Sequence, residues 1–226
     1  MSFLDFLNNI SSKPLRVIND AINNSDYVPL DLSENNLELN EIDVFSSFKL
    51  ENYITNHIKN NNGLVAFGGY LETRNIYRRS NHFNNQNQDT ERNIHLGIDI
   101  WWDAETPIFT PLDATLHSFK NNTNFGDYGP TIILKHHIEN HFFYTLYGHL
   151  SLMSLEGLEI GKSFKKGDQI ATLGDAKING DYPPHLHFQL IKDIQDYIGD
   201  YPGVCSKSDL EFYKSNSPDP NLLLKL

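Results

Sequence analysis

The chain has 226 residues, 39% of them hydrophobic and 12% aromatic, which is enough for one sizeable domain with an extension or for two small domains. Its formal net charge of −11 and the lack of a basic stripe with interleaved aromatic residues argue against a nucleic-acid partner, because an acidic surface repels the phosphate backbone. The one cysteine, Cys205, excludes an internal disulfide and a cysteine-based zinc cage, and the residues around it leave the role of this thiol open.

The first twenty residues, MSFLDFLNNISSKPLRVIND, lack the features of a secretory signal. They have no basic start, and Asp5, Asn8 and Asn9 interrupt the apolar residues. No run in the chain approaches the roughly 18 apolar residues of a membrane span. The sequence as it stands therefore predicts a cytoplasmic protein with no membrane span, and a periplasmic or extracellular location would require a signal that has been removed.

Residues 1–62 are predicted to form a helical N-terminal extension. The stretches LDFLNNI, PLRVINDAINN and EIDVFSSFKLENYITNHIKN place apolar residues at helical spacing, and NNNG, residues 60–63, is a typical stop signal. This extension either covers a binding groove as a flap or braces the domain that follows, and bracing is favoured.

From residue 63 to residue 226 the pattern changes to that of a β domain. Between residues 94 and 191, short runs of β-branched and aromatic residues are separated by Gly, Pro and Asp, as in HLGIDIWW, PTIILKHH, HFFYTLYGHL and HLHFQLI. This cadence predicts a mainly β fold, an antiparallel β-sandwich or folded sheet, rather than alternating strands and helices. The polar stretch 81–93 is predicted to be a loop, and the tail SPDPNLLLKL is predicted to dock on the domain.

The segment PPHLHFQL places two histidines, His185 and His187, one residue apart in a predicted strand. Residues i and i+2 of a strand point to the same face, so the two imidazoles project together from backbone positions about 7 Å apart. Such a pair suits two metal ligands, or one ligand beside one acid–base group. For an isolated pair, two hydrogen-bonded histidines beside a core are an equally good interpretation.

The segment HLGID places His95 and Asp99 four residues apart. In a straight strand these residues would lie about 13 Å apart, too far to bind one ion at about 2 Å. Gly97 lies between them, and a glycine permits the bulge or bend that would bring them together. Taken alone, the pattern is also common for a surface histidine and an aspartate at a turn.

A third segment, LYGHL, ends an apolar strand with His149, and Gly148 before it would allow a turn that presents the imidazole. Alone, such a histidine is more often a hydrogen-bonded structural residue. Together the three segments supply four histidines and one aspartate. Three protein ligands and one open position are typical of a catalytic zinc site, and two further histidines could act on water or on a developing oxyanion.

In this order the motifs HxxxD, YGHL and HxH, together with TPIFTPLDATLHSF, GPTIILKH and GKSFKKGDQIATLG, resemble the M23 zinc metallopeptidases of the LytM/lysostaphin type over residues 94–191. The resemblance implies an antiparallel β domain with one zinc ion on the floor of a groove. The family's substrates are peptides rich in glycine or D-alanine, chiefly peptidoglycan cross-links. A zinc-dependent endopeptidase or amide hydrolase, similar to the peptidoglycan DD-endopeptidases and using a metal-activated water, is therefore predicted. The residues implied are the zinc ligands His95, Asp99 and His187 and the catalytic pair His149 and His185.

Three other interpretations stay open. The domain could be a catalytically degenerate scaffold or binding module, although all five site positions are present. It could hydrolyse a non-wall cytosolic amide, because wall-acting members of the family are normally exported. It could also be a carrier module of the biotinyl or lipoyl type, for which Lys177 is the candidate lysine but lacks the expected flanks.

Four residues near the motifs are weighed as contacts of the substrate. Tyr182 precedes HxH and is predicted to line the groove. Glu72, Arg74 and Arg78 could bind substrate, but a solvated or salt-bridged edge is favoured for them. The predicted partner is a peptide or a peptidoglycan fragment, and the oligomeric state is open.

Overall fold

In the computed structural model, which describes residues 1–19, 21–80, 83, 87 and 89–226, the chain is mainly β, as its cadence of short apolar runs predicts. The described strands are β1 (Tyr27–Pro29), β2 (Val65–Gly68), β3 (Arg92–His95), β4 (Ile98–Trp101), β5 (Pro107–Phe109), β6 (Ala114–Asn122), β7 (Gly129–Ile138), β8 (His141–Gly148), β9 (Ser163–Phe164), β10 (Gln169–Thr172), β11 (His185–Ile191) and β12 (Val204–Ser206). The described α-helices are α1 (Phe3–Asn9), α2 (Ser47–Asn60), α3 (Leu210–Asn216) and α4 (Asn221–Leu224).

Eight of the described strands form one sheet in the order β1-β2-β4-β11-β8-β7-β6-β9. Its neighbouring strands are antiparallel, except that β1 runs parallel to β2 at one edge. Two small sheets, β5 with β10 and β3 with β12, accompany it. The predicted antiparallel fold is therefore confirmed for the body of the chain.

The period-two alternation of β11 gives the large sheet two different faces. Leu186, Phe188 and Leu190 are almost fully buried in the main apolar core, which residues of α1 and α4 also join. His185 and His187 alternate with them and therefore project from the opposite face. Burying each Leu- or Phe-sized side chain stabilises the fold by about 1.5–3 kcal/mol, so the apolar residues fix which face carries the histidines.

The N-terminal segment is less helical than its apolar spacing predicts. Helices α1 and α2 form, but the described residues between 14 and 23 are irregular. The N–H group of Leu15 donates to the carbonyl oxygen of Leu223 at 3.1 Å, and the carbonyl oxygen of Val17 accepts from the N–H group of Phe109 at 2.9 Å. Backbone groups here find partners in other elements, and this tertiary pairing overrides the helical periodicity.

The same segment completes one edge of the large sheet. Strand β1 pairs with β2, and Leu50 and Ile54 of α2 pack in a second apolar cluster with Trp101 of β4.

The domain boundary expected at residue 62 stays a prediction. The loop expected over residues 81–93 lies partly outside the described residues. None of the described helices combines the length and apolar character needed to cross a bilayer.

Candidate metal centre

His95 and Asp99 lie in different sheets although they are four residues apart. Strand β3 ends at His95 and pairs with β12, whereas Asp99 lies in β4 of the large sheet. The chain bends between them, and His95 Nε2 lies 3.2 Å from Asp99 Oδ1. A Cβ atom at Gly97 would lie 2.7 Å from His187 Nε2 and 2.8 Å from the carbonyl oxygen of Phe188. The bend therefore requires glycine because other groups approach its backbone closely.

A third donor, His187 of β11, meets the first two because it lies directly opposite Asp99 in the register of β11 and β4. His187 Nδ1 is 3.2 Å from Asp99 Oδ1 and 2.8 Å from His95 Nε2. None of the three residues is more than 2% exposed. Donor atoms around a tetrahedral zinc ion, with bonds of about 2.0–2.1 Å, are about 3.3 Å apart. The three atoms are thus spaced as ligands of one ion would be.

Hydrogen bonds on the far side of each ring favour the tautomers in which the two facing imidazole nitrogens carry no proton. His95 Nδ1 lies 2.9 Å from the carbonyl oxygen of Gly69, which can only accept, so Nδ1 carries the ring proton. His187 Nε2 likewise donates to Gln189 Oε1 at 3.0 Å, since the amide nitrogen of Gln189 donates to the carbonyl oxygen of Pro202. Burial lowers the pKa of His95 to about 3, so its ring is neutral. Two lone pairs 2.8 Å apart beside a carboxylate repel one another, and a cation between them removes that repulsion.

A buried arginine orders the carboxylate of Asp99. Arg74 Nη1 lies 2.5 Å from Asp99 Oδ2, and Arg74 Nε donates to Glu72 Oε2 at 2.8 Å. Burial acts to raise the pKa of Asp99, but the neighbouring groups, among them the charged guanidinium of Arg74, outweigh it and hold that pKa well below its usual range. Oδ2 is thus occupied by the guanidinium, and Oδ1 faces the imidazoles. The salt-bridged edge expected for Arg74 exists, but it is buried at the centre rather than solvated.

His149 and His185 form a second pair beside the three donors. Their ring centres are 4.1 Å apart, and His185 Nε2 lies 3.7 Å from Asp99 Oδ1. His149 Nδ1 donates to the carbonyl oxygen of Asn179, and His185 Nδ1 donates to that of Pro183, both at 2.7 Å. Burial lowers the pKa of both histidines. Each ring is therefore neutral, with an unprotonated Nε2 that can accept a proton.

The turn that presents His149 differs from the predicted one. His149 itself has a φ of +61°, the left-handed region, and is held there by two hydrogen bonds. Its N–H group donates to the carbonyl oxygen of Tyr128, and its own carbonyl oxygen accepts from the N–H group of Gly174, both at 2.9 Å. Gly148 stays in β8, where a Cβ atom would lie 2.6 Å from the Tyr128 ring. Gly148 thus makes room for Tyr128, and His149 forms the turn.

The loop before β11 carries both carbonyl groups that hold the histidine pair, and Arg79 ties this loop down. The guanidinium carbon of Arg79 lies 4.2 Å from the ring centre of Tyr182 and 5.0 Å from that of Phe125. Arg79 Nη2 donates to the carbonyl oxygen of Asp181 at 2.7 Å, and Nη1 donates to that of Phe45 at 3.2 Å. One buried side chain therefore joins this loop to the loop before β7 and to the segment before α2.

All five site residues expected from the motifs lie together, but sequence reasoning missed the residues that orient them. Gln189 lies two positions beyond His187 in the same strand, so the period-two pattern that singled out the histidines contained a signal for it. Tyr128, whose hydroxyl lies 3.5 Å from His187 Nε2, directly precedes β7, and no local pattern indicates it. Tyr182 packs against His149 with ring centres 5.2 Å apart, at the place where a groove residue was expected.

This chain was compared with curated proteins and with solved structures. A search of curated proteins gives no match. Similar solved structures include a zinc-containing peptidase from Vibrio cholerae, with 25% identity over 43% of this chain and 27% of that chain and a TM-score of 0.35. They also include the catalytic domain of the antimicrobial peptidase lysostaphin from Staphylococcus simulans, with 19% identity over 66% of this chain and 88% of that chain and a TM-score of 0.39. This chain thus spans only 27% of the Vibrio cholerae peptidase.

A family model also matches part of this chain. The model described as peptidase family M23 matches residues 93–198, the part of the chain that contains the three donors and the histidine pair. The resemblance drawn from the motifs HxxxD, YGHL and HxH is thereby confirmed. Residues 93–198 of this chain are therefore similar to peptidase family M23.

Proposed function

We propose that this chain is a zinc-dependent peptidase or amide hydrolase in which His95, Asp99 and His187 hold one zinc ion. The observation that carries the proposal is the pair of buried imidazole nitrogens 2.8 Å apart, with a buried carboxylate oxygen 3.2 Å from each. Nitrogen and carboxylate donors in this number are those of catalytic zinc sites, which keep a further position open. The match of residues 93–198 to peptidase family M23 supports the same assignment.

The protein's own groups prepare these three side chains for the ion. Gly69 and Gln189 hold the tautomers of the two imidazoles, and Arg74 occupies the second oxygen of Asp99. Such outer partners orient the ligands and raise their basicity. When bound, zinc supplies a Lewis acid that polarises the scissile carbonyl group and lowers the pKa of water.

His149 and His185 are proposed as the catalytic pair. Both are neutral and present an unprotonated Nε2, so either can accept the proton of the attacking water. Because their ring centres are only 4.1 Å apart, one protonated ring disfavours protonation of the other. The pair therefore carries one proton at a time, which it can donate to the developing oxyanion or to the leaving amine.

The substrate proposed is a peptide or a peptidoglycan fragment with glycine or D-alanine at the cleaved bond, as the family resemblance implies. A small amide outside the cell wall is the alternative substrate for the same chemistry. The alternative function is that of a domain that binds metal but no longer hydrolyses a substrate. Such a domain would keep the three donors and would cleave none of the peptides tested.

The experiment that tests this proposal measures zinc in protein purified without chelator. We expect close to one zinc ion per wild-type chain and much less in Asp99→Ala, because the variant loses the charged ligand. Asp103→Ala is the matched control, since Asp103 is an exposed aspartate four residues further along and should not change the zinc content. A wild-type protein that stays free of zinc after zinc is added back would contradict the metal centre. If zinc binds, a screen of glycine- and D-alanine-containing peptides tests hydrolysis.

A further inference from the structure

A cavity of about 200 Å³ opens beside the five polar side chains of the centre. On one side it is lined by a group of buried apolar residues that pack together in one cluster, which we call the apolar wall. Four of its five members precede residue 93 and so lie outside the part of the chain that matches the family, and two of these four belong to the N-terminal segment before residue 62. The apolar wall consists of Leu32, Leu50, Ile76, Tyr77 and Trp101.

The apolar wall begins directly at the polar side chains of the centre. The ring of Trp101 stacks on that of His185, with ring centres 5.7 Å apart and an interplanar angle of 22°. The ring of Tyr77 stacks on that of His95, with ring centres 6.5 Å apart. A substrate whose carbonyl group lies at the centre can therefore place a neighbouring group against this wall.

One charged group that contacts the apolar wall, Arg74, is already paired with two carboxylates. Arg74 lies 5.8 Å from the ring centre of Trp101, but its guanidinium is paired with Asp99 and Glu72. The wall therefore offers a substrate apolar contact area rather than a charged partner. A pocket with apolar walls and a few convergent polar groups is the usual form of a site that binds a small molecule or a side chain.

From this arrangement we infer that the apolar wall is a subsite for a bulky apolar side chain, of the size of leucine, methionine or phenylalanine, next to the cleaved amide. The inference rests on the proposed hydrolase function and adds to its substrate class: the bulky side chain lies on one side of the cleaved amide, and glycine or D-alanine lies on the other. An apolar cavity of about 150 Å³ accommodates benzene, so a cavity of about 200 Å³ has room for such a side chain. Glycine or D-alanine at this position would leave most of the wall uncovered.

The size of the subsite depends on the N-terminal segment. Leu50 projects from α2, and Leu32 from the irregular segment after β1, so both belong to elements that the matched family region does not contain. In a hydrophobic pocket, one methylene group more or less changes kcat/KM by about 10- to 200-fold. Residues 32 and 50 should therefore set the preferred side chain.

The test digests a mixture of peptides with the zinc-loaded protein and identifies the cleaved bonds by mass spectrometry. We expect leucine, methionine or phenylalanine to be enriched at one position flanking the cut. Leu50→Ala should shift the preference at least tenfold toward larger side chains, and Leu50→Phe should shift it toward alanine and glycine. Leu32→Ala repeats the test from a second side chain should either Leu50 variant fail to fold. Leu64→Ala, at an exposed leucine outside the cavity, should keep the wild-type preference.

Two outcomes separate the failure of this inference from the failure of the proposed function. Cleavage with glycine or no particular residue at both flanking positions, unchanged in the Leu50 and Leu32 variants, would overturn the subsite and leave the hydrolase intact. No cleavage at all by zinc-loaded protein would overturn the function.

A binding measurement then decides the subsite without catalysis. The fluorescence of Trp101, measured in a Trp102→Phe background, should change saturably with N-acetyl-leucine amide and not with N-acetyl-glycine amide. No response to the leucine compound would overturn the subsite.

Discussion

The two halves of the centre are built in different ways. The three donors His95, Asp99 and His187 lie in strands, and buried polar groups of other residues hold each of them. His149 and His185 instead depend on two carbonyl groups of one irregular loop. The difference teaches that the proposed metal ligands are held by the sheets, whereas the proposed catalytic pair depends on how well a loop is held. The two properties should therefore separate on mutation.

Replacing His149 with alanine should have the largest effect of the changes considered. The effect should be confined to the histidine pair and should leave the three donors unchanged. The variant loses one of the two neutral bases, so hydrolysis of a proven substrate should fall by about 10²- to 10⁴-fold. Its zinc content should stay near that of the wild type, because His149 is not among the three donors. Side-by-side measurements of zinc content and kcat check this. His137→Ala, at an exposed histidine, is the control. Full activity in His149→Ala would show that the catalytic assignment is wrong.

Replacing Arg79 tests whether the loop half depends on its tie to the segment before α2. Arg79→Ala should keep zinc and lower kcat by up to about 100-fold, because small displacements of catalytic groups are costly. Arg79→Lys should not restore activity, since a single ammonium cannot pack against two rings while donating hydrogen bonds to two segments.

A readout without substrate accompanies the Arg79 test. Hydrogen exchange of the amides in residues 175–184 should be faster in both variants, whereas Arg78→Ala, at a half-exposed arginine paired with Glu91, should match the wild type. Unchanged exchange in the Arg79 variants would remove Arg79 from the support of this loop.

Replacing Gln189 should affect the half of the centre that contains the three donors, and its effect should be smaller than those of the His149 and Arg79 replacements. Gln189→Leu removes the acceptor for His187 Nε2, and zinc affinity measured by chelator competition should fall about 10- to 100-fold. The histidine pair does not contact Gln189 through any hydrogen bond described above, so kcat at saturating zinc should change little. Gln169→Leu, at an exposed glutamine in β10, is the control. Equal zinc affinity in Gln189→Leu and the wild type would contradict the role of Gln189 in orienting His187.

The strands and the polar donors could be predicted from the sequence because both follow local rules. Alternation with a period of two placed His185 and His187 on one face, and Gly97 indicated the bend that joins His95 to Asp99. These signals act over a few residues, so the chain carries them whatever surrounds it.

The groups that surround the donors could not be predicted in this way. Arg74 reaches Asp99 from 25 positions earlier, and the partner of Arg79 in the loop before β11 is 102 positions away. The helical spacing of residues 14–23 was misleading for a related reason, because the main core takes up those apolar side chains without a helix. Periodicity reports the faces of an element, and it contains no information on which distant segment will pack there.

The parallel pairing of β1 at the sheet edge has a consequence for aggregation. Exposed edge strands attract other chains through unpaired N–H and C=O groups. Here β1 has three residues, and it ends in Pro29, which has no N–H group and whose carbonyl oxygen accepts a hydrogen bond from His57 Nε2 at 3.0 Å. At the opposite edge of the described sheet, β9 has only two residues. A sheet of eight strands thus ends on both sides in strands too short to recruit a second copy, which favours a chain that stays dispersed at high concentration.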